Sequence, residues 1–365
     1  MPCLRFTHGG MFELTLTEPA DLAALGGRWQ ALEARAEGSF FQSWNWVGCL
    51  AARRFPAPVL LEARADGELV GLALFNRRRR LGVERLWLGE SGDAALDSVF
   101  VEHNGPLIAR GHAAALGPVW LGAAVGAPLG ATAPRFGRIV TLSGVDVPAG
   151  LGAEVNGLRL AIRMTRPAPV VDFDLVGGRG YLPGLSANAR YQIRRSARLY
   201  AAAGPLAVRR AATPDEALAD LDALAALHQA SWVRRGRPGA FANPAFLAFH
   251  RSLIERSFAD GQIDLLRVAA GDRPIGYLYN FRYRGVVSAY QSGFDYAGAG
   301  PHHKPGLTCH HLAIEMYAGQ GIRRYDLLAG GDRYKLTLAN AGATLHWVVA
   351  TRRWSPWALL TLMRR

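Results

Sequence analysis

Cysteine is scarce in this chain: three residues, Cys3, Cys49 and Cys309, odd in number and widely spaced. That excludes a disulfide framework and a paired Cys-x-x-Cys metal site, and it fits a reducing cytoplasm. Lysine is scarcer still, although the 365 residues carry a formal charge of +13, nearly all from arginine. Arginine and alanine richness follows in part from a GC-rich genome, so the charge alone is weak ground for a nucleic-acid partner, and no DNA partner is expected. A well-solvated basic surface holding some anionic ligand is the simpler reading. Long hydrophobic runs are missing too. The longest near the end, WSPWALLTLM, is too short to span a bilayer. Flanked by Arg352, Arg353, Arg364 and Arg365, it has the makings of a peripheral membrane contact, although packing on the body of the protein is preferred. The first residues, MPCLRFTHGGMFELTL, lack an apolar signal-peptide core, so a cytoplasmic location is expected. No long polar block occurs and half the residues are hydrophobic, which excludes a disordered chain. The length points to about two domains.

What is present is organised around residues 264–338. An extended run (IDLLRVAAGDRPIGYLYNF) and a second (VVSAYQSGFDY) lead into a glycine- and proline-rich turn (AGAGPHHKPG). An amphipathic helix (LTCHHLAIEMYAGQG) and a strand (RRYDLLAGG) follow, closing on Asp332, Arg333, Tyr334 and Lys335. A strand feeding a glycine turn at a helix start presents free backbone N–H groups to an anion, which makes this the candidate working site.

Upstream, residues 11–17 alternate like a first strand, and 18–36 and 40–54 carry helical spacing. Strands at 59–65 and 68–76 flank Asp66-Gly67, a dipeptide suited to a tight hairpin because both positions accept positive φ. Arg77, Arg78, Arg79 and Arg80 close the second strand; an edge-strand end pointing to water is preferred over a phosphate grip. Short strands (ERLWLGE, RIVTLS, LRLAIRM) lie between 83 and 165. Composition shifts to proline and glycine near 167–184, which sets the expected domains at 1–166 and 167–365. Ser186 caps a basic helix on which Arg190, Arg194 and Arg198 share one face at i, i+4 and i+8. Like charges at that spacing repel, so an anionic ligand and plain solvation are both open. Thr213-Pro214-Asp215-Glu216 is a helix start with a capping box, and Asn243-Pro244 opens another helix. The order strand, helix, helix, three antiparallel strands, helix, strand and a last hairpin is begun in both halves, suggesting two copies of one architecture.

That order resembles the GNAT acyltransferase fold, and two such units resemble the FemABX-like double-GNAT superfamily, closest to the CelD/BcsL type found with exopolysaccharide loci. The residues carrying the resemblance are His228-Gln229-Ala230-Ser231-Trp232, Arg237-Pro238-Gly239-Ala240-Phe241, Gly276-Tyr277 and Tyr290-Gln291-Ser292-Gly293. Lys304-Pro305-Gly306, Tyr325-Asp326-Leu327-Leu328-Ala329-Gly330 and Tyr334-Lys335 complete the set. The fold class implied is α/β (α+β): tandem GNAT-like domains, each a mixed, mostly antiparallel sheet flanked by helices, the first degenerate. The activity implied is metal-free acyl transfer from acyl-CoA or acetyl-CoA to the amine or hydroxyl of a small-molecule, saccharide or amino-acid acceptor, in exopolysaccharide, cell-envelope or lipid synthesis. An acyl carrier protein or an aminoacyl-tRNA is an alternative donor, and a non-catalytic accessory protein of polysaccharide export is the reading from another class. Where a typical GNAT has Q/R-x-x-G-x-G/A, this chain has Pro301-His302-His303-Lys304-Pro305-Gly306. The donor residues implied are Gln291, Lys304, Pro305, Gly306, Leu307 and Thr308. The acceptor side is assigned to Arg190, Arg194, His228, Trp232, Arg237 and Phe241.

Acyl transfer needs a neutral nucleophile, a stabilised oxyanion and a proton for the leaving group. Asp326, at a strand end, is a candidate to take the acceptor's proton, or simply to hold the following turn. Lys335 is a candidate for oxyanion or phosphate, or for an ion pair with Asp332 or Asp326. Tyr325 and Tyr334 are candidate proton donors to a thiolate, or core aromatics. His302, His303, His310 and His311 do not read as a metal site: adjacent histidines on a helix point about 100° apart and cannot chelate one ion together. His228 and Trp232 at i, i+4 read first as a buried pair.

Overall fold

The computed structural model describes residues 6–8, 12–80, 82–129, 134–146, 154–155, 157–178 and 180–358. Cys3, Met11, Arg364, Arg365 and residues 359–363 of the terminal apolar run lie outside the described residues. Two compact units emerge, 1–165 with 345–365, and 166–344. Residues 345–365, expected in the second domain, group with the first because Leu345–Ala350 pair antiparallel with Val140–Asp146. A single strand Ala341–Arg352, preceded by the short helix Arg333–Leu338, stands where a hairpin was expected.

In unit 1, strand Phe12–Thr17 is followed by helix Leu22–Glu33, a 3₁₀ turn Phe40–Gln42 and helix Trp44–Arg54. Three antiparallel strands, Pro58–Ala65, Glu68–Arg80 and Val83–Leu88, come next. The hairpin turn is as read from the sequence, with Asp66 and Gly67 at φ 49° and 82°. Strand Ile139–Asp146 then runs parallel to Val83–Leu88. The arginine run is an end of its strand: pairing with Pro58–Ala65 stops at Asn76, Arg77–Arg80 pair only with the strand Val83–Leu88, and Arg78, Arg79 and Arg80 are exposed. Its charges are matched locally, Arg77 by Glu18 at 2.6 Å, Arg79 by Glu84 at 2.8 Å and Arg78 by Asp93 at 3.6 Å. Glu84 also meets the buried Arg138. Burial raises its carboxyl pKa, but the bonds and charges of Arg138 and Arg79 outweigh that and hold it below the usual range.

Unit 2 repeats the order: strand Leu206–Arg210, helix Pro214–Arg234, 3₁₀ turn Ala240–Ala242, helix Pro244–Ser257. Strands Ile263–Ala270, Arg273–Tyr283 and Val286–Phe294 are antiparallel neighbours, so the first extended run of the sequence is two strands turning at Gly271-Asp272. Strand Arg324–Asp326 is parallel to the start of Val286–Phe294, and the end of strand Leu158–Asp172 pairs antiparallel beyond it. Helix starts follow the sequence: Ser186, Thr213 and Asn243 each accept a backbone N–H of the first turn. Glu216 departs from the expected box, taking the N–H of Ala212 rather than that of Thr213.

Helices cover both faces of this sheet. Tyr279 and Tyr290 meet His250 of helix Pro244–Ser257, while Asn280, pointing the other way, bonds the Tyr317 hydroxyl of helix Pro305–Ala318 at 3.1 Å. Close approach on the first face depends on Gly293, where a Cβ would stand 2.2 Å from the carbonyl oxygen of Leu224. Gly293→Ala is therefore expected to destabilise the protein by about 1–3 kcal/mol, measured as a lowered denaturant midpoint with unchanged slope.

Candidate active site

Strands Val286–Phe294 and Arg324–Asp326 stay paired only to Ser288 and Asp326. Beyond that point the second chain remains with its other neighbour, Leu327 N–H on Pro169 O at 3.0 Å and Gly330 N–H on Pro167 O at 2.9 Å. The sheet therefore splits, and side chains stand in the opening. His310 is one: its Nδ1 is 2.8 Å from the Tyr325 hydroxyl, and its ring lies edge-on to Phe294 and stacked on Tyr334, 5.3 Å between centroids. Burial first, and the Lys335 charge second, push its pKa down to about 3, so the imidazole is neutral.

A cleft of about 1070 Å³ opens beside it. Phe294, Tyr296 and Tyr334 line one part; the start of helix Pro305–Ala318 and one face of the basic helix Ala187–Ala201 line another. Pro305 supplies no N–H, Thr308 N–H closes on Lys304 O at 3.0 Å, and Lys304 N–H goes to Ser196 Oγ at 2.8 Å. Among the described residues, the Gly306 and Leu307 amides have no protein acceptor, leaving two donors at a helix N-terminus in the cleft wall. Gly306 packs closely there, since a Cβ would stand 3.3 Å from the Phe294 ring. Ser196 also bonds the Thr308 hydroxyl at 2.7 Å, so the basic helix fixes the turn through a buried serine.

Lys304, Pro305, Gly306 and Leu307 line the cleft; Thr308 is buried behind it, and Gln291 is not among the lining residues. Arg190 and Arg194 are not lining residues either. Arg190 donates to the carbonyls of Pro183 and Leu185, Arg194 is exposed, and it is Arg195 that reaches the cleft, with Asn188, Tyr191 and Gln192. The charge spacing selected one stripe, while burial of Ala189, Ile193, Ser196 and Tyr200 turns the adjacent one to the cleft. Tyr334 lines the cleft and Tyr325 does not, being fully buried on His310 and Tyr317. Burial, Asp332 and Tyr296 all raise the Tyr334 phenol above its ordinary pKa.

Asp326 accepts the Leu328 N–H at 2.7 Å and so shapes a turn in which Leu328 takes φ 59°. The Lys335 ammonium donates to the Leu328 and Ala329 carbonyls at 3.2 and 2.9 Å. Lys304 and Lys335 are the only lysines among 42 basic residues, a signal present in the composition and easily passed over. His228, with Trp232 and Phe241 around it, sends Nδ1 to Ser292 O at 3.1 Å. Burial lowers its pKa. Arg237 is exposed. This aromatic group connects to the cleft through Arg235, whose guanidinium lies over both Trp232 and Tyr296. The histidine pairs diverge: His303 accepts from Gly300 N–H, His302 is exposed, and His311 stacks on Tyr181.

Residues 187–336 match the family model described as an acetyltransferase (GNAT) domain. No curated protein matches the chain. Among solved structures it is similar to FemX, with TM-score 0.59 and 10% identity over 93% of this chain and 98% of that one. L-PGS from Bacillus licheniformis gives TM-score 0.53 and 12% identity over 95% and 97%. A conserved protein of unknown function from Bacteroides thetaiotaomicron gives 0.51 and 10% over 90% and 97%. At these identities the likeness concerns the fold.

Proposed function

We propose that this chain, whose residues 187–336 match a GNAT acetyltransferase family model and whose fold is similar to those of FemX and L-PGS, is an N- or O-acyltransferase whose donor binds in unit 2. The observation that carries this is the pair of free amides at Gly306 and Leu307, set in a cleft with Lys304 and Arg195. Two convergent N–H groups and two cations suit the phosphates of an acyl-CoA. The acyl carbon then reaches the split between the strands. The acceptor's lone pair attacks it, the carbonyl electrons move to oxygen and return, and the carbon–sulfur bond breaks. The Tyr334 hydroxyl delivers its proton to the leaving sulfur, and the resulting phenolate takes up, through water, the proton that the acceptor's nitrogen or oxygen gives up. Asp326 and Lys335 hold the 327–330 turn, and Tyr325 steadies His310, so these three act by positioning. The His228, Trp232 and Phe241 group stands on the acceptor side. Among the described residues between its parallel strands, unit 1 has only the short helices Ala113–Leu116 and Trp120–Gly126 where unit 2 has Pro305–Ala318. This supports a degenerate first half that binds no donor of its own.

Acetyl-CoA or a longer acyl-CoA at about 100 Kd should stabilise the protein by roughly 2.7 kcal/mol. Charge reversal at Lys304 and Arg195 should raise the donor KM about tenfold or more, with kcat little changed. No stabilisation by any CoA, together with salt-sensitive retention of RNA, would replace CoA by an aminoacyl-tRNA donor. No response to either donor would leave the accessory, non-catalytic reading. An acceptor in exopolysaccharide or cell-envelope synthesis is the class to screen first.

A further inference from the structure

Unit 1 holds a cavity of its own, of about 410 Å³, within the roughly 300–1,000 Å³ of small-molecule sites. Leu14, Val119, Ala123 and Leu158 give it an apolar floor. Its charges are all of one sign: Arg135, Arg352 and Arg353 are at the rim, and no described lining residue is a carboxylate. Some other exposed arginines of this unit are matched, Arg79 by Glu84 and Arg163 by Glu90. Among the described residues, no ion pair takes up Arg135 or Arg352. Arg352 is nonetheless held in place. Its side chain lies across Gly126 and Gly137, where a Cβ would come within 3.1 Å of a guanidinium nitrogen and 3.0 Å of Cγ. Gly137 has φ 74°, so a side chain there is disfavoured twice. Two aromatics stand at the rim, Trp354 86% exposed and Phe136 42% exposed, each under a guanidinium, that of Arg353 at 4.8 Å and that of Arg135 at 5.1 Å.

We propose that this pocket binds an anionic amphiphile, one acyl chain with a phosphate or carboxylate head. The chain loses water on the apolar floor, the head pairs with the Arg135 and Arg352 guanidinium groups, and Trp354 and Phe136 cover the junction between the two. The site is independent of the acyl-transfer reading, because every residue in it belongs to unit 1.

The test is a titration of the full chain with dodecyl phosphate below its aggregation concentration, beside dodecyl maltoside and inorganic phosphate. The expected result is binding of dodecyl phosphate at least about tenfold tighter than either comparison ligand, and a loss of about tenfold or more in R135E/R352E. Vesicles of phosphatidylcholine with and without phosphatidylglycerol separate the sources. Retention on the anionic vesicles that R135E/R352E loses assigns a bilayer lipid; binding of the monomer alone assigns a free amphiphile. Equal binding of the maltoside and the phosphate in the wild-type protein, or an unchanged affinity in R135E/R352E, overturns the proposal. The wild-type comparison decides it even where the double variant does not fold.

Discussion

Replacing Tyr334 by phenylalanine is expected to lower kcat by about 10²–10⁴-fold, the usual worth of a positioned general acid, while the donor KM stays within about twofold. The split between effects follows from where the atoms are. The donor's phosphates are assigned to the Gly306 and Leu307 amides and two cations, none of which the substitution touches. The ring of Tyr334 stays stacked on His310 in the variant, so the cleft keeps its shape and loses one O–H. Burial, Asp332 and Tyr296 raise the phenol, so it remains protonated through the neutral range and its loss of a proton should limit kcat only under alkaline conditions. That alkaline limb should vanish in Tyr334→Phe along with most of the rate. Tyr325→Phe is the control: its hydroxyl meets His310 inside the core and should cost stability rather than produce the same pH signature. A variant at Tyr334 with wild-type kcat would remove it from the chemistry.

Acid should unfold this protein early, and two adjacent histidines are the reason. His310 titrates at about 3 and His311 at about 4 in the native state, both lowered by burial, His310 also by Lys335. In the unfolded chain each returns to about 6.5. Between those values the unfolded state binds protons that the native state refuses, so stability falls as the pH drops below about 6.5. By pH 4 the loss is about 3 kcal/mol for each residue, about 6 kcal/mol together, comparable to the whole stability of many domains. Buried Asp220 and Asp264, with raised carboxyl pKa, act in the opposite direction, while His228, lowered by burial, and Glu84, lowered by its arginine partners, act in the same direction as the two histidines. The check is the urea midpoint of wild type and of a His310→Gln/His311→Gln variant between pH 4 and 7. The variant's midpoint should depend on pH much less; parallel curves would show that the two rings do not carry the effect.

Local chemistry was the readable part of the sequence. Ser186, Thr213-Pro214 and Asn243-Pro244 start helices, and Asp66-Gly67 turns a hairpin, because each outcome depends on a few neighbouring residues. The glycine turn that opens helix Pro305–Ala318 was legible for the same reason, and family resemblance supplied the double architecture around it. The choice among arginines of the basic helix was not legible. Arg190, Arg194 and Arg198 share a stripe, but the packing of Ile193 and Ser196 toward the turn decides which stripe faces the cleft, and it is that of Gln192 and Arg195. Tyr325 and Tyr334 looked alike as aromatic residues near strand ends. Only tertiary placement separates the one sealed under His310 from the one at the cleft. His310 was weighed as a metal ligand, and its place in the sheet opening depends on where two strands part, which no local pattern records.

The sheet of unit 1 takes its strand Leu345–Ala350 from a segment roughly 200 residues downstream of its partner Val140–Asp146. A nascent chain that has released residues 1–165 therefore still lacks a strand of that sheet, and strand Ile139–Asp146 waits with one edge unpaired. Unit 2 ends at residue 344, inside the same strand Ala341–Arg352, so one late segment completes both units. The interval in which unit 1 is exposed is set by the time needed to translate unit 2, roughly 10–40 seconds at bacterial rates.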